Sequence, residues 1–197
     1  MENKVKIDIA CGDSKKGGFI GVDIIETSST DIVHDLNIYP WPFESNSVDE
    51  IYCSHYVEHI PHLNIQAVLK ESNSFEEFKE KLSIEKDGFI KFFEEVYRIL
   101  KVGGKAIIVA PHYMSVRAFG DPTHLRYVGD WSFYYLNKEW LDTNRLTHYN
   151  INVDFDITYS YYVDNDLTLK SQEVRTEAFK KDWNSISDII VELVKRT

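Results

Sequence analysis

Apolar residues in the first half of the chain come in short runs, each closed by a small or acidic residue. Val5, Ile7 and Ile9 alternate with Lys6 and Asp8, and the run ends at Cys11-Gly12. Phe19 to Val22 ends at Asp23, Ile32-Val33 passes into His34-Asp35-Leu36, and Asp49 to Ser54 carries Ile51, Tyr52 and Cys53. The clearest run, Ala106-Ile107-Ile108-Val109-Ala110, is apolar throughout and stopped by Pro111. An unbroken run of that kind predicts a parallel strand covered on both faces.

The best helix precedes it. Phe89, Phe93, Val96, Tyr97 and Leu100 fall on one stripe, Arg98 and Lys101 stand in the last turn, and Gly103-Gly104 supplies a stop. Residues 63–87 hold no Gly or Pro and read as a helical insertion. Ile65, Val68 and Leu69 mark one short helix there, and Ser74 with Glu77 caps a second that carries Phe75, Phe78 and Leu82. Residues 111–149 are irregular and rich in aromatics, with a helix expected over 137–145. From Tyr149 to Val163 apolar residues alternate, which predicts a long strand. Asp164-Asn165-Asp166 reads as a turn, followed by a helix over 172–184 and a last strand from Ile186 to Val194.

The composition narrows the class of protein. A chain of 197 residues with 43% apolar residues suits a single domain over 1–197. The formal net charge of −10, with no Lys/Arg-rich stretch, disfavours nucleic acid as a partner. No apolar run approaches the roughly 18–20 residues of a membrane span, and the amino terminus shows no secretion signal. Cys11 and Cys53 form no CxxC pair, so free thiols in a cytoplasmic protein are expected.

The candidate chemistry sits at strand ends. Small residues in Asp8-Ile9-Ala10-Cys11-Gly12 let backbone approach a ligand at the carboxyl edge of an open sheet. Asp23 offers two acceptor oxygens to a ribose diol, and Asp35-Leu36 offers an adenine an edge and a face. Taken in order, DIACG, GVD, HDL, SVDEIYCSHYVEHI and FFEEVYRILKVGGKAIIVAP resemble the successive motifs of class I S-adenosylmethionine-dependent methyltransferases, with the methyltransferase type 11 branch the nearest in pattern. The resemblance spans roughly residues 5–112. It implies a three-layer Rossmann-like α/β fold with a seven-stranded, mostly parallel sheet whose last strand is antiparallel, and S-adenosyl-L-methionine as cofactor. It places Asp8, Ala10 and Gly12 along the methionine and ribose end, Asp23 on the ribose hydroxyls, and Asp35 and Leu36 at the adenine. Ser54 and His55 would face the methionine moiety.

The pattern has departures. Ala10 stands where the family carries a glycine, Asp13-Ser14 follow Gly12, and ILKVGG replaces ILKPGG. Only ten residues separate Gly12 from Asp23, fewer than a parallel crossover normally takes, and KKGG read alone favours a hairpin. The family pattern favours the parallel connection.

His55-x-x-Glu58-His59, with His62 beyond, also matches an inverted zinc-protease signature, and on a helix the three histidines would share a face. Because the methyltransferase pattern carries its own EH there and Pro61 bends the chain, no metal is expected, and a zinc hydrolase using His55, Glu58 and His59 is the lesser alternative. The loops over 111–149 form the expected substrate side. His112 and His124 are the candidate general bases. Arg126 is expected to pair with an internal acid, and Trp131, Phe133, Tyr134 and Tyr135 wall a pocket or join the core. The absence of Asn/Asp-Pro-Pro-Tyr, Ser-Pro-Pro-Tyr and Pro-Cys segments disfavours methylation of nucleic-acid bases. A small-molecule or sugar-linked acceptor taking the methyl group on O or N is the expectation, with a non-catalytic cofactor-binding module as the alternative.

Overall fold

A computed structural model describes residues 4–163 and 165–197. The strands are β1 (Lys6–Ile9), β2 (Ile20–Asp23), β3 (Ile32–Val33), β4 (Val48–Ser54), β5 (Leu100–Pro111), β6 (Phe155–Val163) and β7 (Ile186–Lys195). They form one sheet in the order β3-β2-β1-β4-β5-β7-β6. Only β7 runs antiparallel to its neighbours. The helices are α1 (Ile65–Lys70), α2 (Phe75–Ile84), α3 (Gly88–Ile99), α4 (Val116–Gly120), α5 (Asp130–Tyr134), α6 (Lys138–Thr143), α7 (Asn165–Thr168) and α8 (Gln172–Lys181). The sheet is the Rossmann-like one expected. Of the turn expected at 164–166, Asp164 lies outside the described residues. Among the described residues no helix is long and apolar enough to cross a membrane.

β1 and β2 pair in parallel, with Ile7 opposite Ile20 and Ile9 opposite Val22, so KKGG makes no hairpin. The connection over 10–19 contains no helix. It is pinned instead by the Asp8 carboxylate, which accepts the Lys16 N–H at 2.6 Å. The loop after β2 folds closely back over that strand: a Cβ on Gly21 would run into the Ser29 carbonyl oxygen.

The connections after β1 and β2 lack helices, and the two faces of the sheet differ accordingly. Ile7, Ile9, Ile51, Cys53, Ala106, Ile108, Val191 and Leu193 point to one face and are buried. Phe92, Phe93, Val96 and Ile99 of α3 belong to the same core, which Phe133 of α5 joins through Phe93. Alternate positions face the other way and carry the pairs Lys6–Glu50 at 2.8 Å and Lys105–Glu192 at 3.2 Å. Ile107 is therefore half-buried, and β5 is not covered on both faces along its whole length as its apolar run predicts.

Two further expectations are corrected. The glycine pair does not stop α3. The helix ends at Ile99 because Leu100 already pairs with Val48, and the N–H groups of Asn46 and Ser47 donate to the carbonyls of Arg98 and Ile99. Those carbonyls would otherwise lack partners. Gly103, at φ +76°, and Gly104 instead form a bulge in the β4–β5 register. The alternating run from Tyr149 becomes a strand only from Phe155, since Phe155 pairs with Lys195, the last residue of β7, and no strand remains to pair with residues 149–154. Val153 is buried there without joining the sheet.

Candidate functional site

The carboxyl ends of β1, β2 and β4 converge on a tight bend. Ala10 and Gly12 lie in the left-handed region, at φ +55° and +54°. A non-glycine residue there stores strain, a feature that concentrates at functional sites. Asp23, at the end of β2, faces this bend: its Oδ2 accepts the Gly12 N–H at 2.9 Å and its Oδ1 accepts the Ile25 N–H at 3.0 Å. Each oxygen keeps acceptor capacity for a further donor.

A cavity of about 180 Å³ opens beside this pair, lined by Ala10, Asp23, Asp35 and Leu36 together with Ile24, His34, Asn37 and Tyr56. Four residues proposed from the sequence thus meet in one cavity. Asp35 is oriented by its contacts to the Asn37 N–H and side-chain amide, and Leu36 is buried. Asp8 does not line the cavity. It is 3% exposed and spends its carboxylate on the Lys16 N–H; burial raises its pKa, which that hydrogen bond offsets in part. Sequence reasoning missed Tyr56 and Ile24. Ile24 is 60% exposed although strongly apolar, the only sequence-level hint being its place next to Asp23.

At the end of β4 the His55 N–H donates to the Val109 carbonyl, and His55 itself adopts φ +56°. This turn sends the next two side chains apart: Tyr56 lines the first cavity, while His55 lines a second, open one of about 600 Å³. The second cavity also holds Glu58, His59, Arg117, Asp121 and His124. Glu58 is 1% exposed, and its carboxylate has no hydrogen-bond partner. Nδ1 of His55 stands 3.3 Å from Glu58 Oε1, an ion-pair contact, and that carboxylate raises the His55 pKa against the opposing effect of burial. Arg117 is neutralised by Asp188 at 2.6 Å.

The two loops of this cavity are locked together by backbone. The Glu58 carbonyl accepts the N–H groups of Leu125 and Arg126, at 2.8 and 3.0 Å. Arg126 pairs with Asp87 at 3.0 Å, an internal bridge of the kind expected. The helical face foreseen for His55, His59 and His62 does not form: only a single 3-10 turn spans Val57–His59, and after Pro61 the His62 side chain pairs with Asp87 at 2.9 Å. His59 meets His124 instead, their ring centroids 4.7 Å apart.

The two candidate bases lie apart. His124 is on the second cavity. His112 is outside it, buried against Tyr113 and Tyr161, and burial lowers its pKa. Of the aromatic group, Phe133 is core, Trp131 is exposed, Tyr134 stacks on Trp140, and Tyr135 lines a third and larger cavity of about 940 Å³ with Phe89, Arg126 and Tyr149. None of the proposed cofactor residues lines that cavity.

Sheet order, a single antiparallel strand and cavities at the carboxyl edge define a Rossmann-like α/β protein. No protein-family model matches the sequence, and comparison with curated proteins finds no match. Among solved structures, the fold is similar to that of a SAM-dependent methyltransferase from Archaeoglobus fulgidus, with a TM-score of 0.58 at 16% identity over 98% of this chain and 86% of that one. It is also similar to a Bacillus halodurans protein provisionally assigned as a methyltransferase, with a TM-score of 0.50 at 13% identity over 100% of this chain and 95% of the other. The chain therefore has a methyltransferase-like fold.

Proposed function

We propose that this protein is an S-adenosylmethionine-dependent methyltransferase that transfers a methyl group to an oxygen or nitrogen of a small-molecule or sugar-linked acceptor. The observation that carries the reading is the pairing of Asp23 with the Gly12 bend at the mouth of the cavity formed by Ala10, Asp35, Leu36 and Tyr56. In this reading Asp23 takes the ribose hydroxyls on its remaining lone pairs, and Asp35, Leu36 and Tyr56 hold the adenine. The methionine portion runs past Gly12 toward Ser54 and His55. Asp8 acts from beneath by holding the 10–19 loop. The fold shared with the methyltransferases above supports the same reading, and the two free cysteines suit a reducing cytoplasm.

The acceptor enters through the second cavity. Bound at the first cavity, S-adenosylmethionine would supply a methyl group on a cationic sulfur leaving group, which an acceptor oxygen or nitrogen lone pair aligned opposite the sulfur would take as the carbon–sulfur electrons return to sulfur, releasing S-adenosylhomocysteine. The protein chiefly supplies proximity and alignment. The acceptor's proton passes to His124 Nε2, which is free because Nδ1 faces the Ala118 carbonyl at 2.9 Å and so donates to it. His112, buried outside the cavity, is the weaker candidate for that role.

A thermal-shift comparison tests the reading. S-adenosylmethionine and S-adenosylhomocysteine are expected to raise Tm in proportion to their affinity, and NAD is not. A shift with NAD alone, or with none of the three, would remove the proposal.

A further inference from the structure

We infer that Glu58, His59 and His124 form a binding site for one divalent transition-metal cation of the zinc class, placed in the acceptor cavity. One ligand atom from each of the three residues lies within 4.8 Å of the others. They come from two segments, 58–59 and 124, that the Glu58 carbonyl holds together through the Leu125 and Arg126 N–H groups. A tetrahedral centre with metal–nitrogen distances near 2.0–2.1 Å places its ligands about 3.3 Å apart, so closure asks for side-chain rotations of about an ångström.

The tautomers suit the role. His124 Nδ1 donates to the Ala118 carbonyl. Thr123 Oγ1 gives its proton to Asp121 at 2.6 Å, so His59 Nδ1, at 3.2 Å from that hydroxyl and 3.3 Å from the Thr123 carbonyl, must be the donor. Both imidazoles therefore carry a free lone pair on Nε2, the arrangement that outer-shell acceptors enforce in metal-binding histidines. The second observation is Glu58 itself: a carboxylate 1% exposed, lining the cavity. His55 Nδ1 reaches Oε1 at 3.3 Å, but Oε2 has no hydrogen-bond partner, and burial makes a carboxylate oxygen left in that state costly. Asp121, whose Oδ2 is 3.8 Å from His124 Nε2, stands where a fourth ligand or a bound water would be oriented. Two imidazoles and one carboxylate with open positions suit zinc, iron(II) or manganese(II) rather than magnesium, which prefers an all-oxygen shell.

The cation's role, unlike its binding, rests on the methyl-transfer reading. A cation held there would take the His124 Nε2 lone pair in place of the proton-accepting role given to it above, and would instead lower the pKa of an acceptor hydroxyl, whose proton would pass to water.

The test measures metal on the full-length protein, stripped with chelator and dialysed, by titration with zinc chloride and by the visible spectrum after cobalt(II) loading. One equivalent per chain is expected. His59→Ala and Glu58→Gln should each weaken zinc binding tenfold or more, and His62→Ala, at a surface histidine engaged with Asp87, should leave it unchanged. Far-UV circular dichroism confirms that each variant is folded; His59 is only half-buried, so its variant stands in if Glu58→Gln is not. Substoichiometric zinc, or binding equally strong in the variants, would overturn the site. An S-adenosylmethionine thermal shift on the same samples separates the two ideas: a retained shift without metal removes only the cation, and metal without a shift removes only the transferase.

Discussion

Asp23 accepts two backbone N–H groups and still faces a cavity, so one side chain both shapes the Gly12 bend and offers acceptors to a ligand. Asp23→Ala should weaken S-adenosylmethionine binding by about 1.5–3 kcal/mol, the usual loss for hydrogen bonds to a charged acceptor. Calorimetry reads this directly, and unchanged affinity would remove the ribose assignment. His112 makes a pH prediction of its own. Burial holds its folded pKa below the ordinary 6.5, so near and below pH 6.5 the unfolded chain takes up a proton that the folded chain does not. Its contribution to stability is whole above pH 6.5 and is lost as pH falls from there toward the folded value. The urea midpoint of the wild type should therefore drop more between pH 7 and pH 5 than that of His112→Gln. His55, whose shift has the opposite sign, is present in both proteins and cancels from the comparison.

Helix α3 ties the core to the site. Asp87 caps its start by accepting the Phe89 N–H at 2.9 Å, and the same carboxylate holds Arg126 and His62. Gly88 is required there, since a Cβ would meet the Pro61 carbonyl oxygen at 2.2 Å. Gly88→Ala should cost about 1–3 kcal/mol through overpacking, and Phe92→Ala, from the fully buried side of the helix, about 3–5 kcal/mol. Chemical denaturation checks both, and a stable Gly88→Ala protein would show that the Pro61 loop yields. The helical stripe of α3 was legible in the sequence because its period is local. Its end was not, because the stop comes from Asn46, Ser47 and Val48, some fifty residues earlier in the chain.

At the scale of the molecule, the net charge of −10 acts on the cofactor itself. S-adenosylmethionine carries a sulfonium charge that S-adenosylhomocysteine lacks, so the field of an acidic protein favours the former. Raising the salt from low to physiological ionic strength should weaken S-adenosylmethionine binding while leaving S-adenosylhomocysteine nearly unaffected. Titrations of both ligands at two salt concentrations decide the matter. Equal salt dependence would assign the affinity to local contacts alone.

Strand order along the chain, the α3 stripe and the acidic strand ends that meet at the first cavity were all written in local patterns: a period of two or 3.6, or a motif a few residues long. The less covered face of the sheet was written there too, in the alternation of Lys6 with Ile7 and in Glu50 before Ile51, although the apolar run of β5 pointed the other way. The second cavity was not legible. His59 and His124 stand 65 positions apart in the sequence, and the nearer companions His55 and His62 drew attention to a helical spacing that a 3-10 turn and Pro61 prevent. Spacing along a chain reports neighbours only where the backbone is regular. Here the meeting of Glu58, His59 and His124 depends on backbone hydrogen bonds between two irregular loops, and only the folded chain brings those loops together.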